Sequence, residues 1–194
     1  MNNIKVAITG GIGSGKSTLI NIIKDLGYKV FSCDEICADL YKKQSVLREI
    51  KKIFPTAVSG KIFLKADKKK IASLTFNNDK NYSLLSNLLQ PLIVDKLLKK
   101  MQKVKGVCFS EVPLLFEGNY QGLFDKTIVL LRDKEERIKG VYNRSKIDKE
   151  SFMHIANRQV DYDKIDLSNC FVIVNNHSVE DLALKFENFL STIE

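Results

Sequence analysis

The sequence predicts an α/β fold, in which a parallel sheet of five short strands is covered by helices on both faces. Three observations carry this expectation: five short apolar runs, helical periodicities between them, and a glycine-rich turn joining the first run to the first helix. Ile4 to Thr9 reads as the first strand. Ser17 to Leu26 follows with apolar residues at Leu19, Ile20, Ile22, Ile23 and Leu26, until Gly27 stops the helix. Tyr28 to Cys33, Val107 to Ser110, Ile128 to Leu131 and Phe171 to Val174 read as the second to fifth strands. Continuously apolar runs of this length suit parallel strands buried on both sides. In the closing segment Val179, Leu182, Ala183, Phe186, Phe189, Leu190 and Ile193 fall on one helical face, which is expected to pack on the sheet.

Roughly seventy residues separate the second strand from the third, far more than one crossover helix requires, so this stretch is an insertion with its own structure. Helical patterns run over Leu47 to Phe54, over Ile71 to Phe76 and from Leu84 to Met101, the last expected to be kinked or divided by Pro91. The expected division is a core of residues 1–33, 106–131 and 168–194, a helical insertion over 34–105 and a small helical lid over 132–167.

With 194 residues and 44% hydrophobic content, the chain can bury one elaborated core. Met1-Asn2-Asn3-Ile4-Lys5 runs straight into a strand without an export-signal pattern, and no apolar run approaches the roughly 20 residues of a membrane helix. A cytoplasmic protein with no membrane partner is therefore expected. Cys33, Cys37, Cys108 and Cys170 include one CxxxC pair but no second pair to complete a zinc site, and His154 and His177 are too scattered to form a metal cluster. The formal charge of +8 suits nucleic acid, an anionic surface or a polyanionic small substrate. Lysine pairs such as Lys42-Lys43 and Lys51-Lys52 lie on helical patterns without interleaved aromatic platforms, which favours solvated helix faces over a nucleic-acid track.

The chemistry is carried by Gly10-Gly11-Ile12-Gly13-Ser14-Gly15-Lys16-Ser17, which fits GxxxxGK[ST] and stands between a strand and a helix. This is the phosphate-binding loop of P-loop nucleotide enzymes, and the fold class narrows to their three-layer α/β/α form. Glycines let backbone N–H groups turn toward phosphate oxygens, and the following helix adds its positive end. Gly11, Ile12, Gly13, Ser14, Gly15, Lys16, Ser17 and Thr18 are the expected ATP-binding residues, with Lys16 reaching the outer phosphates and Ser17 ligating Mg²⁺. No Asn-Lys-x-Asp guanine-reading tetrapeptide is present, Asn77-Asn78-Asp79-Lys80 not being one, which disfavours a regulatory GTPase.

Other candidates follow from position. Asp34, at the end of the second strand, reads either as the base that accepts the proton of an attacking hydroxyl or as the N-cap of a helix starting at Glu35. Glu111, closing the third strand, is a candidate for the Mg²⁺ shell or a structural acid. Arg132, Arg137, Arg144 and Arg158 occupy the lid span, where guanidinium groups would neutralise charge on the transferring phosphoryl group; surface pairing with Asp133, Glu135 or Glu136 accounts for some of them, and Arg144 is the catalytic and nucleotide-binding candidate.

Beyond these motifs, nearly the whole chain resembles the dephospho-CoA kinase family. Thr9 to Thr18 is similar to the family's form of the P-loop. Ser32-Cys33-Asp34 resembles its Asp-Ala-Asp segment, with the second acid, the family's base, retained as Asp34. Leu89-Gln90-Pro91-Leu92-Ile93 looks like its His-Pro-Leu-Ile segment with glutamine for histidine, and Val112-Pro113-Leu114-Leu115-Phe116-Glu117 resembles its acceptor-facing loop. Asn143-Arg144 falls where the family has an Arg-Asp lid pair, Arg158-Gln159 resembles a later lid segment, and Asn175 stands where the resemblance implies proximity to adenine. The resemblance implies ATP-dependent phosphorylation of the ribose 3′-hydroxyl of dephospho-CoA, with Pro113, Leu114, Leu115 and Asp34 toward the acceptor and two polyanionic substrates answering the positive charge. It also implies a small-molecule enzyme without a nucleic-acid partner, expected as a monomer or weak homo-oligomer. The alternatives are a nucleoside or nucleotide kinase with another acceptor and a nucleic-acid-binding P-loop ATPase.

Overall fold

In the computed structural model, which describes residues 3–76 and 78–193, strand β1 (Ile4–Gly10) lies at the centre of a five-stranded sheet. Met1, Asn2 and Asn77, which entered the readings above, lie outside the described residues. The chain divides into two compact units, Met1–Phe31 with Met101–Glu194, and Ser32–Lys100.

The first unit is built on the sheet. After β1 come helix α1 (Lys16–Asp25) and strand β2 (Lys29–Ser32), and later β5 (Val107–Glu111), β6 (Lys126–Leu131) and β7 (Phe171–Val174). The sheet order is β2-β5-β1-β6-β7, and β1 runs parallel to both neighbours, with Ile8 opposite Glu111 on one side and Ile128 on the other. Strand alternation sends Val6 and Ile8 to one face, where they meet Phe109, Ile128, Leu130 and Ile173. The apolar stripe of α1, Leu19, Ile20 and Ile23, covers this face together with helix α8 (Val179–Leu190), which contributes Leu182, Phe186 and Phe189. The Phe109 ring stands edge-on to Phe186 and Phe189 at centroid distances of 5.5 and 6.4 Å, favourable aromatic geometry. Helices α6 (Lys134–Ser145) and α7 (Lys149–Ala156) connect β6 toward β7 and bury Val141 and Phe152.

The second unit contains α2 (Cys33–Leu40), α3 (Gln44–Ile53), a two-stranded antiparallel hairpin of β3 (Val58–Ser59) and β4 (Lys65–Ala66), α4 (Lys68–Phe76) and α5 (Asp79–Met101). Gln44 holds the hairpin base from α3, its Nε2 donating to Leu64 O at 3.2 Å and its Oε1 accepting from Leu64 N at 2.7 Å. The hairpin has no counterpart in the sequence expectation, because strands of two residues show no alternation to read. Most of the chain's excess positive charge sits in this unit.

Pro91 does not divide the long helix. Helix α5 continues through it for 23 residues. A helix proline removes one bond to the carbonyl four residues back, here Asn87, and both residues are exposed, so water can take that carbonyl. No helix among the described residues is long and apolar enough to cross a membrane.

Truncation of Phe186, which is fully buried between α8 and the sheet, is expected to cost about 3–5 kcal/mol of unfolding free energy. A denaturant melt of Phe186→Ala against the parent chain checks it.

Candidate active site

Helix α1 begins without a side-chain cap. Its N-cap residue is Gly15, in the left-handed conformation at φ 103°, and no side-chain oxygen accepts from the first turn. The first intrahelical donor is Leu19 N, bonded to Gly15 O at 3.1 Å, so the amides of Lys16, Ser17 and Thr18 have no partner within the helix. An exposed helix start of this kind, with its partial positive charge, is an anion site.

The loop that presents it admits no side chain at two key points. A Cβ on Gly15 would overlap Asn175 Nδ2, and Gly13, at φ 79°, would bring one to 2.7 Å from Arg137 O. Both positions need positive φ as well, so glycine is required for conformation and for space. Asn175, buried just beyond β7, donates from Nδ2 to Ser14 O at 2.8 Å while its own N–H donates to Leu131 O at 2.8 Å. Asn175 thus braces the loop from behind.

The charged groups gather on the open side. Lys16 Nζ donates to Gly10 O at 2.7 Å and Gly11 O at 3.1 Å. Burial pulls its pKa down, as do Arg137 and Arg144, while Glu111 and Glu117 oppose that shift by favouring the ammonium. Arg137 lies across the loop, its Nε donating to Ile12 O at 2.8 Å and its guanidinium 5.5 Å from the Phe152 ring. Burial lowers its pKa too, a cost of holding a guanidinium out of water. Arg144 is exposed and reaches Ser17 Oγ at 3.5 Å, whereas Arg132 pairs with Glu136 at 3.5 Å. A cavity of about 690 Å³ adjoins the loop, lined by Gly11, Ser14, Arg132, Arg137, Gln159 and Val174, within the range of small-molecule sites.

The remaining sequence candidates take distinct places. Glu111 ends β5 opposite Ile8, near enough for its charge to act on Lys16. Ser17 and Glu111 offer a hydroxyl and a carboxylate, hard oxygen donors of the kind Mg²⁺ takes beside phosphates and waters. Such a site needs no protein cage, and among the described residues no three His, Cys, Asp or Glu side chains gather as one. Pro113 and Leu114 are half-buried in the turn after β5, while Leu115 is fully buried and packs inward. Asp34 belongs to the other unit, exposed in the first turn of α2. The cap of that helix is Ser32, whose Oγ accepts from Glu35 N at 3.3 Å, so Asp34 is not held by a capping role. Ser32, standing where the family pattern has an acid, does that work instead.

Several residues of the site were not singled out by the sequence. Gln159 Oε1 accepts from Ile12 N at 2.7 Å, Glu117 Oε1 accepts from Val160 N at 2.8 Å, and Tyr162 Oη lies 3.2 Å from Thr9 Oγ1. Arg137 is one of four arginines that the sequence offers for phosphoryl charge, and Gln159 and Glu117 lie in the segments that resemble the family without a role of their own. Nothing local marked Tyr162.

The model of the dephospho-CoA kinase family matches residues 4–181. This chain belongs to the dephospho-CoA kinase family. A dephospho-CoA kinase of Fusobacterium nucleatum is 33% identical over 198 residues, covering 100% of both chains. A crystal structure from Thermus thermophilus superposes with a TM-score of 0.82 at 28% identity, over 100% of each chain. A Campylobacter jejuni structure described as dephospho-CoA kinase gives 0.63 at 28% identity, over 98% of this chain and 97% of that one. A shikimate kinase of Acinetobacter baumannii, at 13% identity and a TM-score of 0.58, shares the fold alone.

Gly15→Ala should strain the left-handed cap and drive a methyl group into Asn175. Isothermal titration is expected to show ATP affinity falling by about tenfold or more, the loss that 1–2 kcal/mol of local strain produces.

Proposed function

We propose that this chain catalyses ATP-dependent phosphorylation of the ribose 3′-hydroxyl of dephospho-CoA, giving coenzyme A and ADP, the last step of coenzyme A biosynthesis. The observation that carries the reading is the uncapped start of α1 with the Lys16 ammonium beside it, in a chain of this family. The amides of Lys16, Ser17 and Thr18 take the phosphate oxygens of ATP, and Lys16 leaves the Gly10 and Gly11 carbonyls for the outer phosphates. Arg137 and Arg144 neutralise charge on the phosphoryl oxygens as it develops, which is where fixed cations gain most. Ser17 and Glu111 would hold Mg²⁺, which would supply neutralisation of phosphate charge.

Asp34 is the base in this reading. It accepts the proton of the 3′-hydroxyl as that oxygen bonds to the terminal phosphorus, and the bond from phosphorus to the bridging oxygen breaks to release ADP. Pro113 and Leu114, with Leu115 packed beneath, contribute to acceptor binding, and Asn175 acts on ATP through the loop that it braces. The reading further holds that the chain works in the cytoplasm on these two small molecules, as a monomer or weak homo-oligomer.

Release of ADP, coupled to an optical readout across a panel of acceptors with Mg²⁺-ATP, tests the assignment. Dephospho-CoA should be the accepted substrate; turnover of a nucleoside with none of dephospho-CoA would refute it. Lys16→Ala is expected to reduce kcat by about 10³-fold or more, in line with removal of a preorganised charge. Asp34→Asn should lower kcat by about 10²–10⁴-fold, the range for a general base, with ATP affinity within a few-fold of the parent. Equal losses in ATP binding and turnover for Asp34→Asn would remove its role as base.

A further inference from the structure

Between α7 and β7 the segment 159–162 is fastened to the phosphate loop by side chains to which the transfer reaction gives no task. Gln159 Oε1 takes the Ile12 amide at 2.7 Å. Tyr162 stands 3.2 Å from the Thr9 hydroxyl, with its ring edge-on to Phe116 at 6.0 Å. The third fastening comes from the turn after β5, where Glu117 Oε1 takes the Val160 amide at 2.8 Å. A carboxylate acceptor makes a stronger bond to an amide than a neutral one does. The other oxygen of Glu117 is buried with no hydrogen-bond partner among the described residues, so the Val160 amide is the hydrogen bond that this carboxylate has in place of water, beside its longer-range attraction to Lys16.

These contacts form one chain of dependence. Val160 and Gln159 are neighbours, so fixing the Val160 amide fixes where the Gln159 side chain starts. Gln159 in turn sets the Ile12 peptide, whose carbonyl already receives Arg137 Nε at 2.8 Å. Ile12 therefore has both of its backbone polar groups held by side chains more than a hundred residues away in sequence. We infer that Glu117 and Gln159 are positioning residues, which clasp the phosphate loop into its nucleotide-receiving curvature through Val160 and the Ile12 amide. They act on ATP through that loop and not by contact with it, and the inference rests on the kinase reading only in taking ATP as the ligand.

The test uses the full chain and reads ATP affinity by titration calorimetry and amide exchange at Ile12 without nucleotide. Glu117→Ala and Gln159→Ala should each weaken ATP binding by about tenfold, the loss of one buried hydrogen bond at the upper end of its usual worth. Both should also speed exchange of the Ile12 amide. The double variant should bind no more weakly than the weaker single one, because two links of one chain are broken only once. Glu117→Gln, which keeps an acceptor for Val160 N, should return affinity to within about threefold of the parent.

Additive losses in the double variant would overturn the clasp, as would Glu117→Gln binding as weakly as Glu117→Ala, which would assign the effect to charge. Tighter ATP binding by Gln159→Ala would overturn it too, since Gln159 would then be blocking an amide that phosphate needs. Should Glu117→Ala not fold, Gln159→Met, which keeps the side-chain length and cannot accept, tests the same link. ATP binding and exchange need no acceptor substrate. A chain inert toward dephospho-CoA thus sinks the proposed reaction alone, and parent-like ATP binding in both alanine variants sinks the clasp alone.

Discussion

The start of α1 has no side chain to satisfy its amides, and the architecture around it follows from that constraint. A helix end of this kind normally recruits a serine, threonine or aspartate; here the cap position is Gly15, which offers nothing but backbone. The sheet brings in what stabilises the arrangement. Strand β1 delivers the loop, β7 delivers Asn175 behind it, and β6 leads into the helix that lays Arg137 across it. These neighbours approach so closely that a Cβ at Gly13 would meet the Arg137 backbone and one at Gly15 the buried Asn175 amide. The loop's shape is thus fixed from outside, by side chains that reach it from distant segments.

Charge balance is the second constraint. Lys16 and Arg137 are both drawn out of water, and desolvation is the dominant pull on each. Glu111 and Glu117 supply part of the compensation at Lys16, without matching the cations one for one. The surplus is positive where a polyanion would enter. A polyphosphate completes this electrostatic balance, so its binding and the structural stability of the pocket are linked.

Much of this was legible in the sequence, for identifiable reasons. The parallel sheet shows in short apolar runs, and α8 shows in the spacing of Leu182, Phe186 and Phe189, because both signals are periodic and local. The phosphate loop shows because its glycines answer a conformational demand that no other residue meets. The cap of α2 was not legible, because Ser32 and Asp34 are both capping residue types and only the fold shows Ser32 Oγ accepting from Glu35 N. The β3–β4 hairpin carried no signal, being too short for a period, and the passage of α5 through Pro91 depended on an exposed face that sequence does not display. Glu117, Gln159 and Tyr162 were illegible as site residues for a different reason. Their parts are defined by what approaches them from distant segments, and tertiary proximity leaves no local trace.

The resting partners of Lys16 have a consequence for how nucleotide affinity is to be understood. With its ammonium already lodged on the carbonyls of Gly10 and Gly11, the side chain is neither free nor fully hydrated before ligand arrives. An incoming phosphate therefore trades one set of oxygen acceptors for another instead of capturing a solvated ion. The side chain's rotamer freedom has largely been surrendered in advance, so its contribution to binding is set by the difference in charge between two amide carbonyls and a phosphate oxygen.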